Sequence, residues 1–353
     1  MQTLVLTMSP KQAYNRQSSV KPDRSGSMGR LRRHTVLAAA ALAGLLVLSA
    51  CGGGGEAAPS VAAAAASTPT ATQSASDGTT AGPSFSLPSE VALSPSSLTA
   101  ADATEVGTID TSTAAQGYVT VCAKGTARLK FQVVSGEMSY NYDIPLDGTP
   151  ITVPLNMGNG AYSLHVMQNT SGSNYVELSS EKIDVSLESE FAPFLRPNMF
   201  CNYDASSACV KQAYDLVANA ANEGDALQAV CDYITSHVTY DHDKAEKLAT
   251  TSGYVPNPDE TLSTGKGICF DYASLGAAML RSVGIPCRVV TGYVSPDDIY
   301  HAWIVVYIDG SWRSAQFSVD KETWTRIDLT FAAASDESQF IGDGKSYTER
   351  YTY

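Results

Sequence analysis

Positive charge is scarce in this chain: its 353 residues carry 23 Lys and Arg against 36 Asp and Glu, a formal net charge of −13. Seven of the basic residues and one acidic residue fall within residues 1–50, which leaves 16 basic and 35 acidic groups and a net charge of about −19 beyond them. So acidic a surface repels phosphate backbones, which excludes nucleic acid as a partner, and it gives no electrostatic adhesion to anionic lipid. The apolar run Val36 to Leu48 falls short of the roughly 20 residues a membrane-spanning helix needs. The seven cysteines show neither C-x-x-C nor paired Cys/His spacing, so no zinc site is expected, and no cofactor or metal is called for. Residues 52–95 have one aromatic residue and very few charges; such a composition cannot bury a core.

The amino-terminal stretch has the parts of an export signal. Arg30, Arg32 and Arg33 precede the apolar run, which closes on Leu48-Ser49-Ala50-Cys51. That closing segment resembles the lipobox of bacterial lipoproteins, which implies a signal peptide over 1–50, a lipid on Cys51, and a protein held on the extracellular face of the bacterial cell membrane. Met28 can serve as the start. Residues 51–97 are expected as a flexible tether of Gly, Ala, Ser, Thr and Pro.

From residue 98 to 188 the pattern turns to short strand-like runs: 117–121, 129–134, 151–155, 162–166 and 182–185. Asp147-Gly148, Gly158-Asn159-Gly160 and Ser171-Gly172-Ser173 punctuate them. That spacing predicts a small immunoglobulin-like β-sandwich with no catalytic cluster, in which His165 is an exposed strand residue. Two helices are expected next, one capped by Asp204 or Ser206 with Val210, Ala213, Leu216 and Val217 on its apolar face, the other starting at Gly224-Asp225. Cys231 reads as a buried small hydrophobe, and His237 and His242 as parts of a solvated turn. Cys201 and Cys209 lie near enough to bridge across N-Y-D-A-S-S-A.

The chemistry concentrates in Gly265 to Phe331. Small and apolar residues recur with a helical period from Cys269 through Val283, and Gly284 supplies a stop. Cys269 therefore sits in the first turn, where unpaired N–H groups favour a thiolate and the Cys269 N–H can donate to an oxyanion. Gly265 and Gly267 are expected to let the backbone approach a substrate. Cys287 to Tyr293 reads as a buried strand, and His301 opens the strand H-A-W-I-V-V-Y-I beside a polar loop. Asp328 ends W-T-R-I-D; its rival, Asp320, lies in a turn. Asp271, Tyr272 and Trp303 are expected to support the site. The carboxy-terminal segment reads as a surface strand or strap.

G-K-G-I-C-F-D-Y-A, R-S-V-G-I-P-C-R-V-V-T-G-Y, H-A-W and W-T-R-I-D-L-T-F together resemble the transglutaminase-like superfamily of papain-type thiol enzymes over about residues 198–334. The resemblance implies an α+β fold over 191–353 with a helix packed on an antiparallel sheet, Cys269 as nucleophile, His301 as base and Asp328 as orienting acid. Leu329 stands where proline is common, and Ser311 to Thr323 is a hairpin-length insertion. The expected activity is attack on a peptide, isopeptide or cell-envelope amide through a thioester, with hydrolysis slightly favoured over transfer. The rival expectation is an idle surface protein that acts as a binding or adhesion module.

Overall fold

The computed structural model describes residues 79–295, 298–313, 318–334 and 347–353; Cys51, the export signal and the first part of the tether lie outside the described residues. One compact unit contains all of them. Along the chain come β1 (Thr79–Ala81), β2 (Thr108–Asp110), β3 (Tyr118–Cys122), β4 (Leu129–Ser135), β5 (Met138–Ile144), β6 (Ile151–Pro154), β7 (Gly160–Ser171) and β8 (Asn174–Val185). Helices α1 (Ala208–Val217) and α2 (Glu223–His237) follow, then β9 (Thr239–Tyr240), α3 (His242–Leu248), α4 (Pro258–Thr264), β10 (Lys266–Gly267) and α5 (Cys269–Ser282). The remainder is β11 (Cys287–Val294), β12 (Ile299–Val306), β13 (Ser311–Arg313), β14 (Ser318–Val319), β15 (Thr325–Ile327), α6 (Leu329–Ala333) and β16 (Tyr347–Thr352).

The first half forms two antiparallel sheets, ordered β2-β3-β6 and β5-β4-β7-β8. Alternation explains the larger sheet: Leu129, Phe131 and Val133 of β4 and Tyr162, Leu164 and Val166 of β7 are buried at every second position. Strand β5, absent from the expected strands, carries Tyr140 and Tyr142 inward beside them. His165 pairs with Glu177 across the β7–β8 ladder.

In the second half, the antiparallel sheet β15-β12-β11-β16 receives α5 on one face. Helix α5 is buried almost all round, which its sequence of small and apolar residues permits: Ala273, Leu275, Ala277, Ala278, Met279 and Leu280 are 0 or 1% exposed. Helices α1, α2 and α4 pack on it. The expected α+β arrangement, a helix against an antiparallel sheet, is the one found. Apolar side chains of both halves join a single cluster, with Tyr142 against Phe200 and Tyr353.

Several local expectations change. Helix α1 starts after Ser207, and its first N–H groups are taken by Asp259, whose carboxylate accepts from Ala208 and Cys209 at 3.0 and 2.8 Å; a cap 50 residues away leaves no mark in the local sequence. Cys201 and Cys209 are free and buried. Residues 79–97, expected as the end of the tether, are ordered against the body: β1 pairs with β13, and Phe85, Leu87, Val91 and Leu93 pack on the core. Apolar residues spaced through a Ser/Pro-rich stretch are enough to anchor it. The carboxy-terminal segment, read as a surface strand or strap, is an edge strand of the α5 sheet, with Thr348 and Glu349 exposed and Tyr351 buried. Tyr353 is fully buried, and the Arg281 guanidinium donates to its carbonyl at 2.7 Å.

Candidate active site

Cys269 is the first residue of α5, at the end where backbone N–H groups have no helical partner. Ile268 before it is extended, and its N–H donates to Asp271 Oδ2 at 2.8 Å, which closes the helix start. Asp271 is completely buried; Lys244 Nζ lies 2.8 Å from the same oxygen and the Tyr254 hydroxyl donates to Oδ1. Gly267 is required for packing, since a Cβ there would stand 2.6 Å from Asp271 Cβ. Gly265 ends α4 with φ of 61°, a backbone need of the same kind. Tyr272 is buried and donates to the Val238 carbonyl at 2.7 Å, fixing α5 to the end of α2.

His301 lies in β12 opposite Gly292 of β11. A Cβ at Gly292 would stand 2.0 Å from the Thr348 carbonyl oxygen and 2.8 Å from the Trp303 ring, so this position admits β16 and the indole only as glycine. Trp303, two residues on and on the same face, is buried, with its ring centroid 6.4 Å from that of His301 and 5.0 Å from that of Tyr347. Phe331 stacks on the imidazole at 4.7 Å and 11°. His301 is 6% exposed and Asp328 3%.

Asp328, between β15 and α6, is bonded at every oxygen. Oδ1 accepts from the Thr330 and Phe331 N–H groups at 3.1 and 3.2 Å, capping α6. Oδ2 accepts from the Tyr347 hydroxyl and faces His301 Nε2, each at 2.8 Å. Leu329, where proline is common in the family the sequence resembles, is buried against Gly276 of α5 and so docks α6 on that helix. The structure thus joins His301 to Asp328, and not to Asp320.

With Nε2 committed to Asp328, Nδ1 is the ring nitrogen left for the Cys269 side chain, which lies near enough to act on the imidazole. Burial alone would push the imidazole down, but the Asp328 carboxylate first and the neighbouring Cys269 side chain next outweigh it and lift His301 to about 10. The imidazole is therefore held as a cation against the Asp328 carboxylate, with the Cys269 side chain beside it. Cys269 differs from the other described cysteines, all of which are buried. Burial pushes the Cys201 thiol up to about 11 and raises Cys122, Cys209, Cys231 and Cys287 as well. Among the described cysteines, only Cys269 is partly exposed and has a charged partner beside it.

Three neighbours escape sequence reading. Tyr347 reaches Asp328 from the far side of residues 335–346. Tyr240, in the segment read as a solvated turn, lies opposite Gly267 in the parallel β9–β10 pair and close enough to Cys269 to feel its charge. Lys244, in α3, supports Asp271. The proximity of H-V-T-Y-D to a helix start is set by that short parallel pairing, for which two-residue strands give no periodic signal.

Residues 210–328 match the model of the Transglutaminase-like superfamily. Kyphoscoliosis peptidase of Mus musculus is 29% identical over 109 residues, 28% of this chain and 16% of that protein. Cytokinesis protein 3 of Schizosaccharomyces pombe is 30% identical over 121 residues, 31% of this chain and 13% of that one. The matched part therefore spans less than a fifth of these relatives' length. Among solved structures, a provisionally assigned cysteine protease from Cytophaga hutchinsonii is 16% identical with a TM-score of 0.36, covering 67% of this chain and 80% of its own.

Proposed function

Taking residues 210–328 as a transglutaminase-like core, we propose that this chain is a thiol enzyme acting on peptide or isopeptide amides, with Cys269 as nucleophile. The observation that supports this most is the buried imidazole held between a carboxylate and a half-exposed sulfur at a helix start. Cys269 Sγ attacks the amide carbonyl, and the oxygen that becomes negative can accept from the Cys269 N–H. As the C–N bond breaks, His301 delivers its Nδ1 proton to the departing amine, leaving a thioester and a neutral imidazole. Water, deprotonated by that imidazole, releases an acid; a second amine in its place gives transamidation. Asp328 keeps the ring in the tautomer and orientation both steps need.

Hydrolysis is the favoured outcome, in keeping with the peptidase name of the mouse relative. The lipobox-like segment ending at Cys51 supports a place on the outer face of a bacterial membrane, with envelope peptides as substrates. The test is to incubate the chain lacking residues 1–50 with an envelope extract and a tagged primary amine. Released peptides without tag mark hydrolysis and incorporated tag marks transfer. Neither product, or equal product from Cys269→Ala, overturns the enzymatic reading and favours a binding module.

A further inference from the structure

Asp271 has more partners than a helix start needs. Its Oδ2 accepts from the Ile268 N–H at 2.8 Å, a bond that a neutral amide makes as well. The side chain is nonetheless a carboxylate, and it is completely buried. Backbone dimensions place that oxygen no more than about 8 Å from the Cα of Cys269. An uncompensated negative charge at that range disfavours a thiolate, on the order of tenfold in its population at the effective dielectric of a partly buried site. From the elements around it, Cys269 faces His301 of β12, with Asp328 behind it, and Tyr240 of β9. His301 already has Asp328 as its partner, so the charge on Asp271 must be met elsewhere.

It is met from α3. Lys244 Nζ lies 2.8 Å from Oδ2, and the Tyr254 hydroxyl donates to Oδ1. Of the three donors on Asp271, the lysine alone carries a charge. Burial first, and then the bond to Asp271, hold the Tyr254 hydroxyl above its usual range, so it offers a dipole and keeps its proton. The lysine is placed by the chain that leads to it. The Thr239 and Asp241 N–H groups donate to the Gly265 and Gly267 carbonyls at 2.9 Å each, and Asp241 Oδ1 accepts from the Lys244 N–H at 2.9 Å, capping α3. The ammonium then rests 4.8 Å from the centroid of the Tyr254 ring. Strand β10, which holds this segment, runs directly into Cys269, so cation and nucleophile share one support. We propose that Lys244 is the counter-ion that cancels Asp271 beside Cys269, a positioning residue that acts on the thiol through that carboxylate. The proposal rests on the reading of Cys269 as nucleophile.

The test is the initial rate at which iodoacetamide, an uncharged reagent, labels Cys269 in the full chain between about pH 6 and 9. Lys244→Gln leaves the buried carboxylate bare, and it slows labelling at pH 7 by about tenfold and moves the pH profile upward. Lys244→Arg restores both. The double variant Asp271→Asn with Lys244→Gln has no ion pair and no bare charge, and it labels within about threefold of the wild type. A clasp that served the helix start alone predicts the reverse, a double variant at least as slow as Lys244→Gln. Should Lys244→Gln fail to fold, Asp271→Asn decides: with the cation kept and the anion gone, it labels several-fold faster than the double variant. The proposal is overturned by a Lys244→Gln rate equal to that of the wild type, by a double variant no faster than Lys244→Gln, by a Lys244→Arg rate no better than that of Lys244→Gln, or by Asp271→Asn no faster than the double variant. A wild-type Cys269 labelled no faster than the buried cysteines sinks the nucleophile reading itself, whereas selective labelling that ignores Lys244 sinks this proposal alone.

Discussion

Two histidine–carboxylate pairs occupy the two halves of the molecule. In the first half, His165 Nδ1 lies 2.7 Å from Glu177, with side chains 22 and 48% exposed; in the second, His301 Nε2 lies 2.8 Å from Asp328, at 7 and 3%. The contact lengths are nearly equal, so length does not separate a ladder pair from a site. Burial and company do. Water screens the first pair, and its third neighbour is a serine. The second pair is screened by Phe331, Trp303 and Tyr347, and its third neighbour is a thiol. A charge in the second setting changes the chemistry of whatever lies beside it; in the first it is dissipated in solvent.

Substitutions at the two pairs should therefore diverge. The largest effect is expected from His301→Ala, which should slow iodoacetamide labelling of Cys269 at neutral pH by about 10²-fold or more, whereas His165→Ala should leave labelling unchanged; peptide mapping of alkylated protein checks both. Next, Asp328→Ala removes one partner of a buried pair and should destabilise the fold by about 3–5 kcal/mol, against no more than ~1 kcal/mol for Glu177→Ala. Urea melts separate these values. Tyr347→Phe removes a single hydroxyl donor from Asp328 and should cost about 1 kcal/mol, with a labelling rate that falls only a few-fold.

The last contrast is in pH dependence. His301 is raised from 6.5 to about 10 in the folded chain, so the folded state binds its proton more tightly than the unfolded state. The stabilisation is full below about 6.5 and is lost as pH rises toward 10. Wild-type stability should therefore fall across that window, and Asp328→Asn should flatten the slope, because the raised value rests first on that carboxylate.

The same contrast explains what the sequence disclosed. Cys269, His301 and Asp328 are readable because each stands at or near the end of a periodic element: a helix start after two glycines, the third residue of β12, which begins at Ile299 rather than at His301, and the residue that follows β15. The antiparallel sheet and its helix follow from the same periodicities. Tyr347 was hidden because its contact with Asp328 is made by a strand that returns from the carboxy-terminal segment, where Tyr351 and Tyr353 enter the core against residues far earlier in the chain. The packing of residues 79–97 was hidden for the opposite reason. Composition is an average, and four apolar side chains spread through polar neighbours were enough to fasten a segment whose average reads as a linker. Gly267, read as a place for substrate, also makes room for Asp271, a need that only tertiary contacts reveal.

The central claim is that one sulfur of this chain is made reactive by an imidazolium. The direct test is residue-resolved alkylation with limiting iodoacetamide at pH 7, comparing wild type with His301→Ala. The account predicts that Cys269 is modified at least about tenfold faster than Cys122, Cys201, Cys209, Cys231 and Cys287 in the wild type, and that this preference disappears in the variant. Equal rates among these six cysteines in the native wild-type protein, or a preference for Cys269 that survives the loss of His301, would contradict it.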